Sequence, residues 1–204
     1  NQDKGDLWDS GKVSSDQTTQ VVYGGKPLKS GEAACWKVRV WTDKDAEPAT
    51  SSVVTWRMGP LTQADWKAKW IGLPRSVPDS EPLPALPATM LRKDFSLAKP
   101  VKRAILTATA LGLYEFRING ERVSEDLFAP NWTDYHKRVQ YQAYDVTSML
   151  TNGKNAIGAT VGDGWYAGRI GISLIDNDGP LRGFYGRRTW LLGRMDIEYA
   201  DGGT

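Results

Sequence analysis

The chain has 204 residues, of which 40% are hydrophobic and 25% charged, and this ordinary globular composition excludes a largely disordered protein. Its 26 basic and 24 acidic residues leave a net charge of +2, too balanced for a protein whose main ligand is nucleic acid. The single cysteine, Cys35, and the single histidine, His136, exclude an internal disulfide, a cysteine-cluster zinc site and any multi-histidine metal site. No apolar run approaches the roughly 18 residues of a membrane-spanning helix, and no signal-peptide pattern opens the sequence.

Many short strands joined by turns are expected, because the chain contains 21 glycines, 11 prolines and nine tryptophans. Residues 1–58 form a first predicted module. Trp36–Trp41 alternates apolar and charged side chains and predicts one strand, and Ser51–Trp56 predicts another. Only three or four strands are predicted here, whereas an immunoglobulin-like sandwich has about seven. We therefore expect this module to be truncated at its N-terminus, with Asn1 not the native start.

Residues 59–88 are expected to connect two folded modules. Asp65–Ile71 contains two tryptophans and predicts a single anchoring strand. The five prolines that follow, at positions 74, 78, 82, 84 and 87, are too frequent for a central strand and predict an ordered surface loop.

Residues 89–204 predict a second module, a β-sandwich of the jelly-roll type. Asn119-Gly120 between two alternating segments is a strong hairpin signal. Asp145–Leu150 predicts one short helical turn. At least seven strands in about 115 residues are typical of a sandwich. The segments predicted as strands are 90–95, 104–110, 114–118, 122–123, 139–144, 155–161 and 189–199.

A glycine-rich segment, Gly162–Ala167, fits the dinucleotide fingerprint G-x-G-x-x-G/A. That fingerprint requires a following helix whose amides face a pyrophosphate, and no amphipathic helix is predicted here, so we reject nucleotide binding. The glycines instead allow a sharp bend that would expose Trp165 and Tyr166 to a sugar face, with Arg169 as a donor to its oxygens. The alternative is a tryptophan packed beneath a turn that closes the sandwich.

Three oxygen-bearing side chains, Asp176, Asn177 and Asp178, occupy one predicted turn. Calcium takes six to eight oxygen ligands, so this turn is a candidate calcium site, although an Asx turn without metal is the default interpretation. His136 is expected to be solvated in a polar loop, and Cys35 to be a small buried residue. A glycosidase needs only two carboxylates, and no motif here identifies such a pair.

One ordered set of motifs occurs at residues 110–115, 118–120, 129–135, 144–147 and 162–168. Together these motifs resemble the N-terminal β-sandwich of bacterial α-L-rhamnosidases of glycoside hydrolase family 78. The upstream segments Leu7–Val13 and Cys35–Trp41 resemble the fibronectin type III-like module that precedes this sandwich. One departure occurs at Asn131, where the family frequently has glycine.

The resemblance implies a parent enzyme that removes terminal α-L-rhamnose from glycosides with inversion. It also implies that the catalytic carboxylates lie in an (α/α)6 barrel further along the parent chain, so this chain would have no catalytic residues of its own. Some members bind rhamnose through calcium on a related sandwich, but their ligands cannot be matched here residue by residue. Calcium therefore stays an optional cofactor, and none is required.

Two functions remain open at this point. In the first, the chain helps the parent enzyme to recognise rhamnosides or other plant or bacterial glycans. Its candidate contacts are then Trp132, Trp165, Tyr166, Arg169, Asp176 and Asn177. In the second, the chain is a structural scaffold that packs on the catalytic barrel and orients it. A hydrolase with an unrecognised carboxylate pair is a weaker third reading. The resemblance implies a bacterial protein, either cytoplasmic or exported.

Overall fold

The computed structural model describes residues 5–44, 47–74, 83–171 and 182–204. The chain divides into two compact units, Asn1–Trp66 and Lys67–Thr204. Within the described ranges, no helix is long and apolar enough to cross a membrane. Each unit is built from antiparallel strands, in agreement with the predicted all-β fold class.

The first unit contains two small antiparallel sheets. Strands β1 (Ala33–Trp36) and β4 (Val54–Arg57) form one, and β2 (Arg39–Val40) and β3 (Ala49–Thr50) form the other. The prediction of one continuous strand over residues 36–41 is wrong. The chain changes partner between β1 and β2, since Trp36 pairs with Val54 whereas Arg39 pairs with Thr50. A 3-10 helix at Gln63–Trp66 ends the unit.

The two sheets of the first unit bury few side chains. Leu28 and Ala34 are the buried apolar residues of its described part, whereas Trp36 and Trp56 are 51% and 38% exposed. Cys35 is exposed, with its Sγ 3.5 Å from Thr55 Oγ1, so the expectation of a buried cysteine is wrong. A strand in a two-stranded sheet has too few neighbours to cover both of its faces.

The second unit is a sandwich of two antiparallel sheets. One sheet has the strand order β5-β10-β7-β8 and the other has the order β11-β6-β9. The predicted strands are confirmed, with small shifts at their ends. The predicted anchoring strand at 65–71 is wrong, because only Ile71 pairs, through a single bridge to Leu191. The strands are β5 Thr89–Leu97, β6 Val101–Leu111, β7 Leu113–Ile118, β8 Glu121–Arg122, β9 Gln142–Asp145, β10 Gly153–Gly162 and β11 Trp190–Tyr199.

The core lies between these two sheets and is filled by alternate residues of their strands. On β6, Ala104, Leu106, Ala108 and Ala110 are at most 2% exposed, as expected for one face of a strand with a period of two. Residues from the opposite sheet complete the core, chiefly Tyr114, Phe116, Ile118, Ala159 and Val161.

Two tight turns shape the sandwich, one between its sheets and one within a sheet. Gly112 alone joins β6 to β7, which lie in different sheets, and it has φ +130°. A Cβ at this position would lie 2.4 Å from Gly162 O, so glycine is required at the crossing. Asn119 and Gly120 both have positive φ, as a type I′ turn demands, and the predicted hairpin between β7 and β8 is confirmed.

A buried amide stabilises the segment before β10. Asn155 is 4% exposed, and its Oδ1 accepts hydrogen bonds from Asn119 Nδ2 and from the Thr151 N–H. Its Nδ2 donates to the carbonyls of Thr151 and Gly153. The 3-10 helix Thr147–Met149 confirms the predicted helical turn just upstream.

Candidate functional site

Two tryptophans that are distant in sequence stack face to face in the second unit. The rings of Trp132 and Trp165 are 5.8 Å apart with an interplanar angle of 7°. Phe128 lies against the same Trp165 ring at 5.9 Å. Trp132 and Phe128 are 46% and 62% exposed, so both rings present apolar surface to solvent. The structure thus brings together two of the predicted contact residues, Trp132 and Trp165.

The end of β10 positions Trp165. After β10 ends at Gly162, the single-turn helix α1 (Gly164–Ala167) begins, and Gly164 has φ +50°. A Cβ on Gly164 would lie 2.6 Å from Leu113 Cγ, so only glycine lets the chain pass this close to β7. The bend expected from the glycine-rich segment therefore exists, and the helix that follows is one turn long.

Hydrogen bonds from the sandwich hold the loop that carries Phe128 and Trp132. The Tyr114 N–H donates to the Ala129 carbonyl at 2.8 Å, and Gln142 Nε2 donates to the Pro130 carbonyl at 3.1 Å. The next residue, Asn131, has φ +90°, a backbone conformation that favours glycine and that asparagine tolerates better than other residues. Asparagine can therefore occupy a backbone conformation that would otherwise call for glycine.

A groove of about 340 Å³ runs beside the stacked rings, lined by residues 126–131, Gln142 and Trp165. The polar side chains of the groove wall are hydrogen-bonded to a buried network of tyrosine hydroxyls. The Tyr114 hydroxyl donates to Gln142 Oε1 at 2.7 Å and lies 3.1 Å from the Tyr144 hydroxyl, which also bonds Asp126. Burial raises the pKa of Tyr114 far above its ordinary value, so this hydroxyl stays protonated as a donor. Flat apolar rings beside fixed amide and carboxylate groups are what a pyranose ring requires of a binding site.

Another hollow, of about 530 Å³, lies in the first unit and is lined by residues 5–9 and 24–26. It is wide open to solvent and contains none of the predicted contact residues. The groove beside Trp165 is therefore the better candidate site.

Tyr166 and Arg169 occupy different surroundings from Trp165. Tyr166 packs edge-to-face on Tyr135 at 5.4 Å, and burial raises its pKa. Arg169 is exposed, and its backbone pairs with that of Arg182. The Asp163 carboxylate forms an ion pair with Arg182.

Asp176, Asn177 and Asp178 lie outside the described residues, so the structure does not describe the predicted calcium turn. Among the residues that it does describe, no group of three histidine, cysteine, aspartate or glutamate side chains is arranged to hold a metal ion.

Other residues that line the groove were not predicted from the sequence. Leu127 and Phe128 are highly exposed at the edge of the groove, and the only signal for them is an apolar pair in a loop before Ala129-Pro130. His136 is solvated as predicted, with 63% of its side chain exposed. Its ring also lies 5.0 Å from that of Tyr185, which itself contacts Tyr135 and Phe184.

Two family models match the chain. The model described as the α-L-rhamnosidase N-terminal domain matches residues 99–204. The model described as the Rha78A-like N-terminal immunoglobulin domain matches residues 1–62. Together they cover most of both structural units.

Named relatives and solved structures agree with these models. An α-L-rhamnosidase of Formosa agariphila is 43% identical over 169 residues, which make up 81% of this chain and 18% of the relative. The crystal structure of the Aspergillus terreus α-L-rhamnosidase superposes with a TM-score of 0.78 at 39% identity, over 94% of this chain and 21% of that one. The Streptomyces avermitilis α-L-rhamnosidase complexed with L-rhamnose superposes with a TM-score of 0.77 at 26% identity, over 97% and 34% of the two chains.

The chain thus spans about a fifth of the Formosa relative, with 18% of its length covered. The immunoglobulin-like model precedes the sandwich model along the chain, in the order that the motifs predicted. On these matches, the chain belongs to the α-L-rhamnosidase family and corresponds to the N-terminal region of its members.

Proposed function

We propose that this chain is a non-catalytic part of an enzyme that hydrolyses terminal α-L-rhamnose, and that its sandwich contacts the sugar through Trp132 and Trp165. The observation that carries the proposal is the stacked tryptophan pair beside a groove with polar walls, in which Trp132 is 46% exposed. The Streptomyces avermitilis relative, whose crystals contain L-rhamnose, supports the choice of sugar.

The chemistry of rhamnose suits this surface. Its C–H face and its methyl group offer apolar contacts to the rings of Trp132 and Trp165, with Phe128 at their edge. Its hydroxyls can bond Asp126 and Gln142 at the groove wall. A site that offers a few ring contacts and hydrogen bonds to one small sugar should bind it weakly, so we expect a dissociation constant of about 1 mM, or about −4 kcal/mol, for a monosaccharide. Weak binding of this kind suits a surface that presents substrate to a separate catalytic domain.

Calorimetric titration of the purified chain with L-rhamnose tests this proposal, first with calcium and then with EDTA. We expect heat of binding in both buffers, because the tryptophan groove needs no metal. Heat with calcium alone would place the site at the Asp176–Asp178 turn instead. No heat in either buffer, from a chain shown to be folded by circular dichroism, would contradict sugar recognition.

Variants of the stacked pair make the test specific. Trp165→Ala should weaken rhamnose binding at least tenfold, while Trp165→Phe should retain part of it because a flat ring remains. Trp36→Ala is the matched control, since Trp36 is an exposed tryptophan of the first unit. It should leave rhamnose binding unchanged.

A scaffold function is the second candidate, and one observation favours it. Leu127 and Phe128 are 72% and 62% exposed side by side, and adjacent exposed apolar side chains are typical of a surface that another domain covers. If this edge packs on the catalytic domain, Leu127→Ser in the full-length enzyme would lower the unfolding temperature and leave KM for rhamnosides unchanged. A raised KM at unchanged unfolding temperature would favour recognition.

A further inference from the structure

The buried hydroxyl of Tyr114 lies where two chains of hydrogen bonds to the groove meet. Tyr114 is 7% exposed and is not one of the residues that line the groove. Its hydroxyl donates to Gln142 Oε1 at 2.7 Å and lies 3.1 Å from the Tyr144 hydroxyl, which bonds Asp126. Gln142 and Asp126 both line the groove. A hydroxyl that the groove does not contain is therefore connected to two polar side chains of its wall.

Tyr114 also holds two consecutive carbonyls of the loop that carries Trp132. Its N–H donates to the Ala129 carbonyl at 2.8 Å. Its hydroxyl holds the Gln142 amide, whose Nε2 donates to the next carbonyl, that of Pro130, at 3.1 Å. One residue of β7 thus holds this loop directly through its backbone and indirectly through its side chain.

These two carbonyls connect the loop to the strands by hydrogen bonds. Within the described part of the chain, the other hydrogen bonds of residues 129–135 join them to residues 128–138 of the same loop. Trp132 follows Pro130 by two residues, and its ring stacks on that of Trp165. A rotation of the Pro130 peptide would therefore move the Trp132 ring away from its partner.

We propose that the Tyr114 hydroxyl is a positioning group for the groove. Through Gln142 it sets the Pro130 carbonyl, and this carbonyl sets the stacking of the two tryptophans. An amide side chain can present its oxygen and its nitrogen in either order, and here the tyrosine donor fixes the oxygen end, so that the nitrogen end faces the carbonyl. This positioning requires no ligand, whereas its effect on rhamnose affinity rests on the proposed function.

Fluorine NMR of the chain labelled with fluorinated tryptophan measures the stacking, because the shift of each indole signal depends on the ring beside it. Trp132→Ala and Trp165→Ala each remove one signal and show where the other lies without its partner. Tyr114→Phe should move both signals about two thirds of the way to these unstacked positions, as expected if the pair is stacked for about a third of the time. Gln142→Ala should move them further, because it removes the bond to the Pro130 carbonyl itself.

Calorimetric titration with L-rhamnose measures the consequence for binding. If the sugar binds only the stacked pair, a pair that is stacked for a third of the time binds with a third of the affinity. Tyr114→Phe should therefore weaken rhamnose binding about threefold. The fluorine shifts and the titration should give the same stacked fraction.

Asn155→Ala is the matched control for a general loss of stability. Asn155 is a buried amide of the same sandwich, and its side chain bonds Asn119, Thr151 and Gly153, all outside the Trp132 loop. This variant should lower the unfolding temperature at least as much as Tyr114→Phe. It should leave the two tryptophan signals and the rhamnose affinity unchanged.

The outcomes separate this inference from the proposed function. Unmoved signals of Trp132 and Trp165 in Tyr114→Phe would overturn the positioning role. Equal movement of these signals in Asn155→Ala would show a general loosening of the sandwich and would overturn it as well. Moved signals, together with no rhamnose binding to the unsubstituted chain, would support the positioning role and contradict the proposed function.

Discussion

The two units of this chain use similar apolar residues and bury them to very different extents. In the described part of the first unit, Leu28 and Ala34 are buried, whereas Val40, Val53 and other large apolar side chains are more than 40% exposed. In the second unit, twelve buried residues form one core between two sheets. The difference follows the number of strands, since two-stranded sheets cannot close a core and a seven-stranded sandwich can.

The comparison shows that apolar composition alone does not make a core. Strand β1 belongs to a two-stranded sheet, and Ala34 is the one buried residue among its four. Strand β6 lies between β11 and β9 in its own sheet, and its core side packs against residues of β7 and β10 in the opposite sheet. Identical substitutions should therefore have unequal effects in the two units.

The largest expected difference comes from truncating leucine. Leu106 is 2% exposed on β6, so Leu106→Ala should lower the free energy of unfolding by about 3 kcal/mol through lost burial and the cavity left behind. Leu61→Ala, at a position 55% exposed in the first unit, should cost less than about 0.5 kcal/mol. Urea unfolding of both variants measures the contrast. Equal losses would mean that the first unit has a core comparable with that of the sandwich.

Removal of the Asn155 amide should have the next largest effect. Asn155→Ala leaves the carbonyls of Thr151 and Gly153 and the Thr151 N–H without their partner, at a cost of about 2 kcal/mol. Asn152→Ala is the control, because Asn152 is exposed in the same turn. If both variants unfold at the same urea concentration, the amide network does not stabilise the sandwich.

A smaller contrast is expected for two tyrosine hydroxyls. Tyr114→Phe removes the donor to Gln142 from a residue that is 7% exposed, and should cost about 1.5 kcal/mol. Tyr23→Phe removes a 2.8 Å hydrogen bond to the Lys26 carbonyl from an exposed residue of the first unit, and should cost less than about 0.5 kcal/mol. Thermal unfolding of the two variants measures this contrast. A larger loss of stability in Tyr23→Phe than in Tyr114→Phe would contradict the expected difference between the two units.

The smallest expected effect concerns carboxyl groups whose pKa is lowered by hydrogen bonds, a feature that both units share. The Thr147 hydroxyl and amide donate to Asp145 and hold the pKa of that carboxyl below its ordinary value of 3.8. Hydrogen bonds from Ser30 and Thr62 likewise lower the pKa of Asp65 in the first unit. A carboxyl with a lowered pKa adds stability above its ordinary pKa and loses it as the pH falls through the folded value.

Asp145→Asn should therefore cost about 0.5 kcal/mol at pH 7 and progressively less below pH 4, because the carboxyl is largely exposed and screened. Unfolding in urea from pH 7 to pH 2.5 measures this dependence. A cost that grew on acidification would contradict the direction of the pKa shift.

Much of the sandwich could be predicted because its signals are local. The alternation of Tyr114–Ile118, the Asn119-Gly120 turn and the apolar run on β6 each specify a conformation within a few residues. The first unit was harder to predict, since the break after Trp36 depends on a change of pairing partner from Val54 to Thr50. None of residues 36–41 is a strong turn former, so the sequence contains no local signal for this change of pairing partner.

The candidate site could be predicted only in part, for a similar reason. Glycines around Trp165 pointed to a bend, but the stacking of Trp165 on Trp132 joins residues 33 positions apart. Tyr166 follows Trp165 directly and yet packs on Tyr135, because one helical turn sends successive side chains in different directions. Sequence spacing in a loop does not determine which rings meet.

The pairing of β6 with β11 bears on how the protein is made. Leu111 pairs with Trp190 and Val101 with Tyr199, so the most apolar strand of the sandwich receives this neighbour only after some ninety further residues have been synthesised. During translation, the backbone edge of β6 that later pairs with β11 stays unpaired. Unpaired edges of apolar strands pair readily with strands of other chains, which leads to aggregation. Long-range pairing of this kind also slows folding. The nascent chain therefore passes through its most aggregation-prone interval just before β11 leaves the ribosome, when a chaperone that shields β6 would raise the yield most.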